Sequence, residues 1–121
     1  MRVSVVICGY TMERLEVFTA AIDSVLAQTH RPLEVIIVID GNHTLYDEIV
    51  RLYRDDPMVR IALNIENRGI SYSRTRGAEL ATGEVVAFID DDAVAEPTWI
   101  AEHVRMYQTQ EVIGVAGMVE P

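Results

Sequence analysis

The chain has 121 residues, 50% hydrophobic and 24% charged, enough for one compact α/β-sized core, too little for two and too apolar for disorder. Nineteen Asp and Glu face ten basic residues, all Arg, for a formal net charge of -9; that balance excludes general DNA or RNA binding, which needs a basic footprint. A single cysteine, Cys8, excludes a disulfide framework or multi-cysteine zinc site, and no apolar run approaches the roughly 18 residues of a membrane span.

Val3–Cys8 (VSVVIC) is apolar and β-branched, which predicts a buried strand. Leu15, Phe18, Ile22 and Val25 follow at three-and-four spacing, predicting an amphipathic helix from about Glu13 to Gln28. Leu33–Ile39 (LEVIIVI) is a second strand, closed by Asp40-Gly41-Asn42. Leu45, Ile49, Leu52 and Tyr53 mark a second helix, stopped before Pro57, and Val59–Leu63 is a third strand. After the polar stretch Asn64–Gly69 comes a helix over about Ile70–Ala81, ended by Thr82-Gly83. Val85–Ile89 is a fourth strand running into Asp90-Asp91-Asp92. Pro97 sits where a helix would begin, ahead of Trp99, Ile100, Val104 and Tyr107, and Val112–Val119 is expected to be a last strand. Strands alternating with crossover helices predict a mostly parallel sheet with helices on both faces. Ligands of such sheets bind outside the carboxyl ends of the strands, here after Cys8, at Asp40 and at Asp90–Asp92.

Three consecutive carboxylates repel one another, and nothing in the adjacent sequence neutralises them. A cleft holding them calls for a divalent cation, whereas a surface loop tolerates them by hydration. Strand alternation would turn Asp90 and Asp92 the same way and Asp91 another. Mg²⁺ or Mn²⁺ takes one or two protein carboxylates and fills its remaining positions with water and phosphate oxygens, so acid-x-acid after an apolar strand suits a metal–diphosphate site. The alternative is an acidic loop in which one Asp caps the next helix. Asp40 before Gly41 is either a turn residue or an acceptor for a base or ribose. Arg74 and Arg76 follow a polar loop and could reach a phosphate, but two residues apart they cannot share a helix face. One of them is then a surface residue, with Glu79 available to pair with Arg76.

The blocks VSVVICGYT, SVLAQTHRPLEVIIVIDGN and ENRGISYSRTRGAELATGEVVAFIDDDAVAEPTWI, in this order and spacing, resemble the family 2 glycosyltransferases. The resemblance covers essentially the whole chain. It implies a Rossmann-like GT-A nucleotide-diphospho-sugar-binding fold and inverting transfer of a sugar from a nucleotide-sugar donor, assisted by Mn²⁺ or Mg²⁺, to a glycan, lipid-linked or other hydroxyl acceptor. Cys8 and Tyr10 match the segment near the donor base, where members often have Pro-Thr or Thr-Ser before the Tyr. Asp40 matches the second Asp of the family's Asp-Asp-Gly-Ser turn, which contacts the nucleobase, and Ile39 stands where the first Asp usually is. Arg74 matches the Arg of an Ala-Arg-Asn block near the nucleotide, with Thr75 in place of Asn. Asp90, Asp91 and Asp92 match the Asp-x-Asp motif: Asp92 as the direct metal ligand, Asp90 supporting it, Asp91 facing the ribose or sugar.

The family's general base belongs to an acceptor-binding half expected beyond Pro121, so residues 1–121 correspond to a single GT-A donor-binding domain in a fragment or short member. The catalytic base is therefore unassigned. The expected location is the cytoplasm, at the inner face of the membrane in a longer protein. On this reading Asp92→Asn abolishes metal-dependent nucleotide binding, Asp40→Asn weakens nucleotide binding, and neither unfolds the domain.

Alternatives are a nucleotidyltransferase, although no Gly-rich phosphate loop follows Cys8, and a donor-binding fragment without activity of its own. A haloacid-dehalogenase-type phosphatase or a receiver domain would need a Lys that the chain lacks. His30, His43 and His103 fit no metal spacing, and Trp99 is expected to pack more than to stack on a ligand. The acidic, lysine-free composition fits either a salt-adapted organism or a GC-rich genome.

Overall fold

The computed structural model describes residues 1–110 and 118–119. Its elements are β1 (Val3–Gly9), a 3₁₀ turn (Met12–Arg14) running into α1 (Leu15–Leu26), β2 (Glu34–Asp40), α2 (His43–Tyr53), β3 (Val59–Asn64), α3 (Ile70–Leu80), β4 (Val85–Ile89), α4 (Trp99–Gln110) and β5 (Met118–Val119). The sheet order is β3-β2-β1-β4-β5. The first four strands are parallel, with Val5 opposite Val35 and Ala87, while β5 pairs antiparallel with β4 through Val86 and Ala87. The expected mostly parallel α/β sheet is what forms. Of the expected last strand, residues 112–117 lie outside the described residues.

Every residue of β1 and β2 is buried, which explains why their centres, Val5–Cys8 and Val35–Ile39, are continuously apolar instead of alternating. The strand period of two divides them between two cores. Val3, Val5, Ile7, Val35, Ile37, Ile39 and Ala87 pack against Phe18, Ile22 and Val25 of α1, Leu45 and Ile49 of α2, and Ile100 and Val104 of α4. Val6, Cys8, Ile36, Val38 and Val86 face the other way, toward Ala78 and Leu80 at the end of α3. Helices thus cover both faces, three on one and α3 on the other. Each fully buried Ile or Leu contributes about 1.5–3 kcal/mol to holding the layers together.

Two glycines set how closely the layers approach the site. A Cβ on Gly77 would lie 2.4 Å from Cγ1 of Val6, so α3 rests directly on β1. A Cβ on Gly9 would lie 2.5 Å from the Phe18 ring, which fills the space beneath the carboxyl end of β1. The chain order reverses direction between β1 and β4, and a crevice opens there, at the carboxyl ends of the strands. Among the described residues no helix is long and apolar enough to cross a membrane.

Candidate functional site

A cleft of about 510 Å³ occupies that crevice, and its wall includes Cys8, Tyr10, Asp40, Arg74, Asp90, Asp91 and Asp92. All seven residues singled out in the sequence therefore meet in one place, brought from β1, β2, α3 and the turn after β4.

Asp40 closes β2 and is buried. Its Oδ1 accepts from Asn64 Nδ2 at 3.0 Å and from the Arg68 backbone N–H at 2.8 Å, and its Oδ2 accepts from the Gly69 N–H at 2.8 Å. Burial pushes the Asp40 pKa up, but these three donors and the Arg68 charge outweigh it and hold the carboxyl below its ordinary value. Asp40 is thus both a wall of the cleft and the anchor of the Asn67–Gly69 loop. Gly41 (φ +66°) and Gly69 (φ +92°) take backbone conformations that other residues adopt with strain, and a Cβ on Gly41 would meet the Asn67 backbone at 2.7 Å.

Asn64, at the end of β3, continues the network. Its Nδ2 donates to Asp40 and to Ser73 Oγ (2.9 Å), and its Oδ1 accepts from Arg76 at 2.8 Å. Arg76 also donates to the Leu63 carbonyl at 2.6 Å. Arg76, for which a phosphate contact and a surface pair with Glu79 were the expected alternatives, is accordingly bound to the end of β3.

The acidic triple differs from expectation in two respects. Strand β4 stops at Ile89, and Asp90–Asp92 form a turn in which Ala93 N–H donates to the Asp90 carbonyl at 3.2 Å, so strand alternation does not govern their directions. Distant residues also compensate the charge that the adjacent sequence leaves bare. Arg74 of α3 pairs with Asp90 at 3.1 Å, and Arg14 of the 3₁₀ turn pairs with Asp91 at 3.0 Å. Arg14 also lies 5.9 Å from the centre of the exposed Tyr10 ring. Asp91, followed by Tyr10, holds the Arg14 pKa above its usual value. Asp92 is exposed and makes no hydrogen bond or ion pair among the described residues. The following segment is tied to α1: Ser24 Oγ accepts from the Ala95 N–H, and buried Gln28 bonds the Glu96 carbonyl and the Ile100 N–H.

Among the described residues no three His, Cys, Asp or Glu side chains form a cage for a metal ion. The donor chemistry nevertheless fits a hard divalent cation that arrives with a ligand: Asp92 and Asp90 are exposed carboxylates at an open mouth, and Mg²⁺ or Mn²⁺ needs only one or two of these beside phosphate oxygens. Burial pushes the Cys8 thiol up to about 12, with the Arg74 charge lowering it and Asp40 and Asp91 raising it, so Cys8 is a protonated wall residue and no nucleophile. Arg14, on the wall of the cleft, and Asn64, which supports Asp40, are residues that the sequence did not reveal; Arg14 and Asp91 are separated by 77 positions, and no local pattern links them.

The family model described as Glycosyl transferase family 2 matches residues 4–120. The chain is 53% identical to a glucosyl-dolichyl phosphate glucuronosyltransferase of Haloferax volcanii, covering all of this chain and 39% of that protein. It is 39% identical to an uncharacterized glycosyltransferase of Nostoc, covering 95% of this chain and 35% of that one. Among solved structures it resembles S. aureus TarS in complex with UDP-GlcNAc (TM-score 0.78, 23% identity, 92% of this chain and 32% of that one). It also resembles the mannosyltransferase PcManGT of Pyrobaculum calidifontis in complex with GDP-Man and Mn²⁺ (TM-score 0.76, 22% identity, 88% and 32%). The chain spans between a third and two fifths of the length of the curated relatives named here.

Proposed function

Because this chain belongs to glycosyl transferase family 2 and has the GT-A fold of its structural neighbours, we propose that residues 1–121 bind the nucleotide-diphosphate sugar from which the enzyme transfers sugar, with inversion, to a hydroxyl or lipid-phosphate acceptor. The observation that carries this reading is the convergence of Asp40, Arg74 and Asp90–Asp92 on one cleft at the point where the sheet order reverses.

Each residue then has a part. Asp40 offers an acceptor to the base while holding the Asn67–Gly69 loop. Cys8 and Tyr10 bound the base pocket. Asp91 faces the ribose or sugar, steadied by Arg14. Asp92, with Asp90, holds Mn²⁺ or Mg²⁺. That ion, bound together with the diphosphate, stabilises the charge that builds on the leaving group. Arg74, freed from Asp90, supplies a guanidinium to the same phosphates. The carboxylates engaged in this way are not available to deprotonate the acceptor, and no base is assigned within these residues.

The kinship with a dolichyl-phosphate-linked glucuronosyltransferase favours a lipid-linked acceptor. Nucleotide-activated sugars are made in the cytoplasm, so the reaction is assigned to the cytoplasmic face of a membrane. Asp92→Asn tests the reading. Nucleoside diphosphate affinity in Mn²⁺ should fall at least about ten-fold, to the level measured in chelator, with the melting temperature preserved. Unchanged affinity in Mn²⁺ would remove Asp92 from the metal site.

A further inference from the structure

From the end of β4 at Ile89 to the start of α4 at Trp99 the backbone belongs to no helix or strand, so the place of the exposed Asp92 is set by what grips the residues on either side of it. Both grips come from α1 and the turns at its two ends. Arg14, at the entry to the helix, pairs with Asp91 at 3.0 Å. Near the other end, Ser24 Oγ accepts from the Ala95 N–H at 2.9 Å. Two residues past the helix, Gln28 Nε2 donates to the Glu96 carbonyl at 2.6 Å, and Gln28 Oε1 accepts from the Ile100 N–H at 2.9 Å. The Thr29 N–H adds a bond to the Pro97 carbonyl at 2.9 Å.

Gln28 is 4% exposed, and burying an amide costs free energy unless its hydrogen bonds are made. Both N–H groups of Nε2 are engaged, by the Ser24 and Glu96 carbonyls, and Oε1 serves Ile100. A flipped amide would set its oxygen against two carbonyls and its NH₂ against an N–H, so only one orientation satisfies the site. An apolar side chain would fill the same space and join none of these groups. We infer that Gln28 and Ser24 are positioning residues for the metal–diphosphate site, holding the backbone that follows Asp92 so that its carboxylate stays at the mouth of the cleft. They act through the turn and do not touch the ligand. The inference rests on the donor-site reading, in which Arg74 leaves Asp90 for the phosphates. The turn then loses one of its ties, and those from α1 and its ends remain.

The 121-residue chain is titrated by calorimetry with UDP, GDP and dTDP, each in Mn²⁺ and in chelator. For the tightest of the three, the ratio of the two affinities isolates the part played by the cation. Gln28→Met keeps the length of the side chain and removes both bonds to the segment after Asp92. The ratio should fall roughly ten-fold, the low end of what losing a partner that orients a metal ligand costs, while the affinity in chelator stays within about two-fold of wild type. Ser24→Ala removes one bond and leaves the Gln28 amide in place; it should lower the ratio several-fold, and Ser24→Thr, which keeps the hydroxyl, should restore it. Melting curves establish which variants are folded, and the Ser24 pair reads the same effect where Gln28→Met is not. A merely structural role would lower the melting temperature and weaken binding equally in Mn²⁺ and in chelator. That result, or an unchanged ratio in either folded variant, would overturn the inference and leave the donor site standing. No binding of any nucleotide by the folded wild type, or binding that ignores Mn²⁺, would overturn both.

Discussion

Replacing Asp40 with Asn keeps the side-chain shape but turns one acceptor oxygen into a donor NH₂. Three donors converge on the native carboxylate, at 3.0, 2.8 and 2.8 Å. Whichever way the new amide lies, at least one backbone N–H of the Arg68–Gly69 segment faces another N–H. The better orientation keeps both Oδ1 bonds and loses the one from Gly69. A hydrogen bond to a charged group contributes about 1.5–3 kcal/mol, and the two survivors weaken when their acceptor becomes neutral. A loss of about 2–3 kcal/mol follows, or a fall of roughly 6–15 °C in melting temperature for a chain of this size. The sequence alone pointed to a base-facing acceptor whose loss would not unfold the domain; the three bonds add a cost in stability to that expectation.

Acidity provides an independent check of the same carboxylate. The folded-state pKa of Asp40 lies below its ordinary value of 3.8. Its contribution is therefore complete above that value and is lost as pH falls through the lower folded value. Thermal unfolding monitored by circular dichroism from pH 7 to pH 2 should show the wild type losing more stability than Asp40→Asn below about pH 4. A variant melting within about 2 °C of the wild type at pH 7, with the same acid profile, would refute the anchoring role.

Glu34→Gln should cost about 2 kcal/mol in chemical denaturation, since its two oxygens accept from Ser4, from the Thr82 N–H and hydroxyl, and from Arg60; a change under about 0.5 kcal/mol would contradict that network. Gly77→Ala should lower the melting temperature although Ala favours helix by about 1 kcal/mol, because overpacking at 2.4 Å from Val6 costs about 1–3 kcal/mol; a higher melting temperature would show that α3 can move away from β1. With a net charge of -9, the melting temperature should climb with KCl into the molar range as self-repulsion is screened; a plateau at physiological salt would leave Arg-rich coding as the better account of the composition.

The fold was legible wherever apolar runs dictate it. Val85–Ile89 is the same strand by either route, and β3 and α3 differ from expectation by one residue at one end. The site was legible as a set of strand ends, because a parallel sheet carries its ligands there. What the sequence could not give was the pairing of charges across the cleft. Arg14 reaches Asp91, and Arg74 reaches Asp90, only after the sheet has placed β4 beside β1. The role of Glu34 and the partners of Arg76 were hidden for the same reason. Glu34 stands in an apolar strand with partners 26 to 48 residues away, and Arg76 looks exposed on a helix until that helix, packed on β1 and β2, brings its side chain to the end of β3. Strand alternation does not set the directions of Asp90–Asp92, because β4 ends at Ile89, one residue before them.

The central claim is that acidic strand ends and a divalent cation together hold the donor's diphosphate, and calorimetric titration of UDP into the chain, once with Mn²⁺ and once with chelator, tests it most directly. Binding in Mn²⁺ that weakens at least about ten-fold in chelator, a difference of about 1.4 kcal/mol, is the predicted result, because without the cation Asp90–Asp92 repel the phosphates. Equal affinity under both conditions would contradict it.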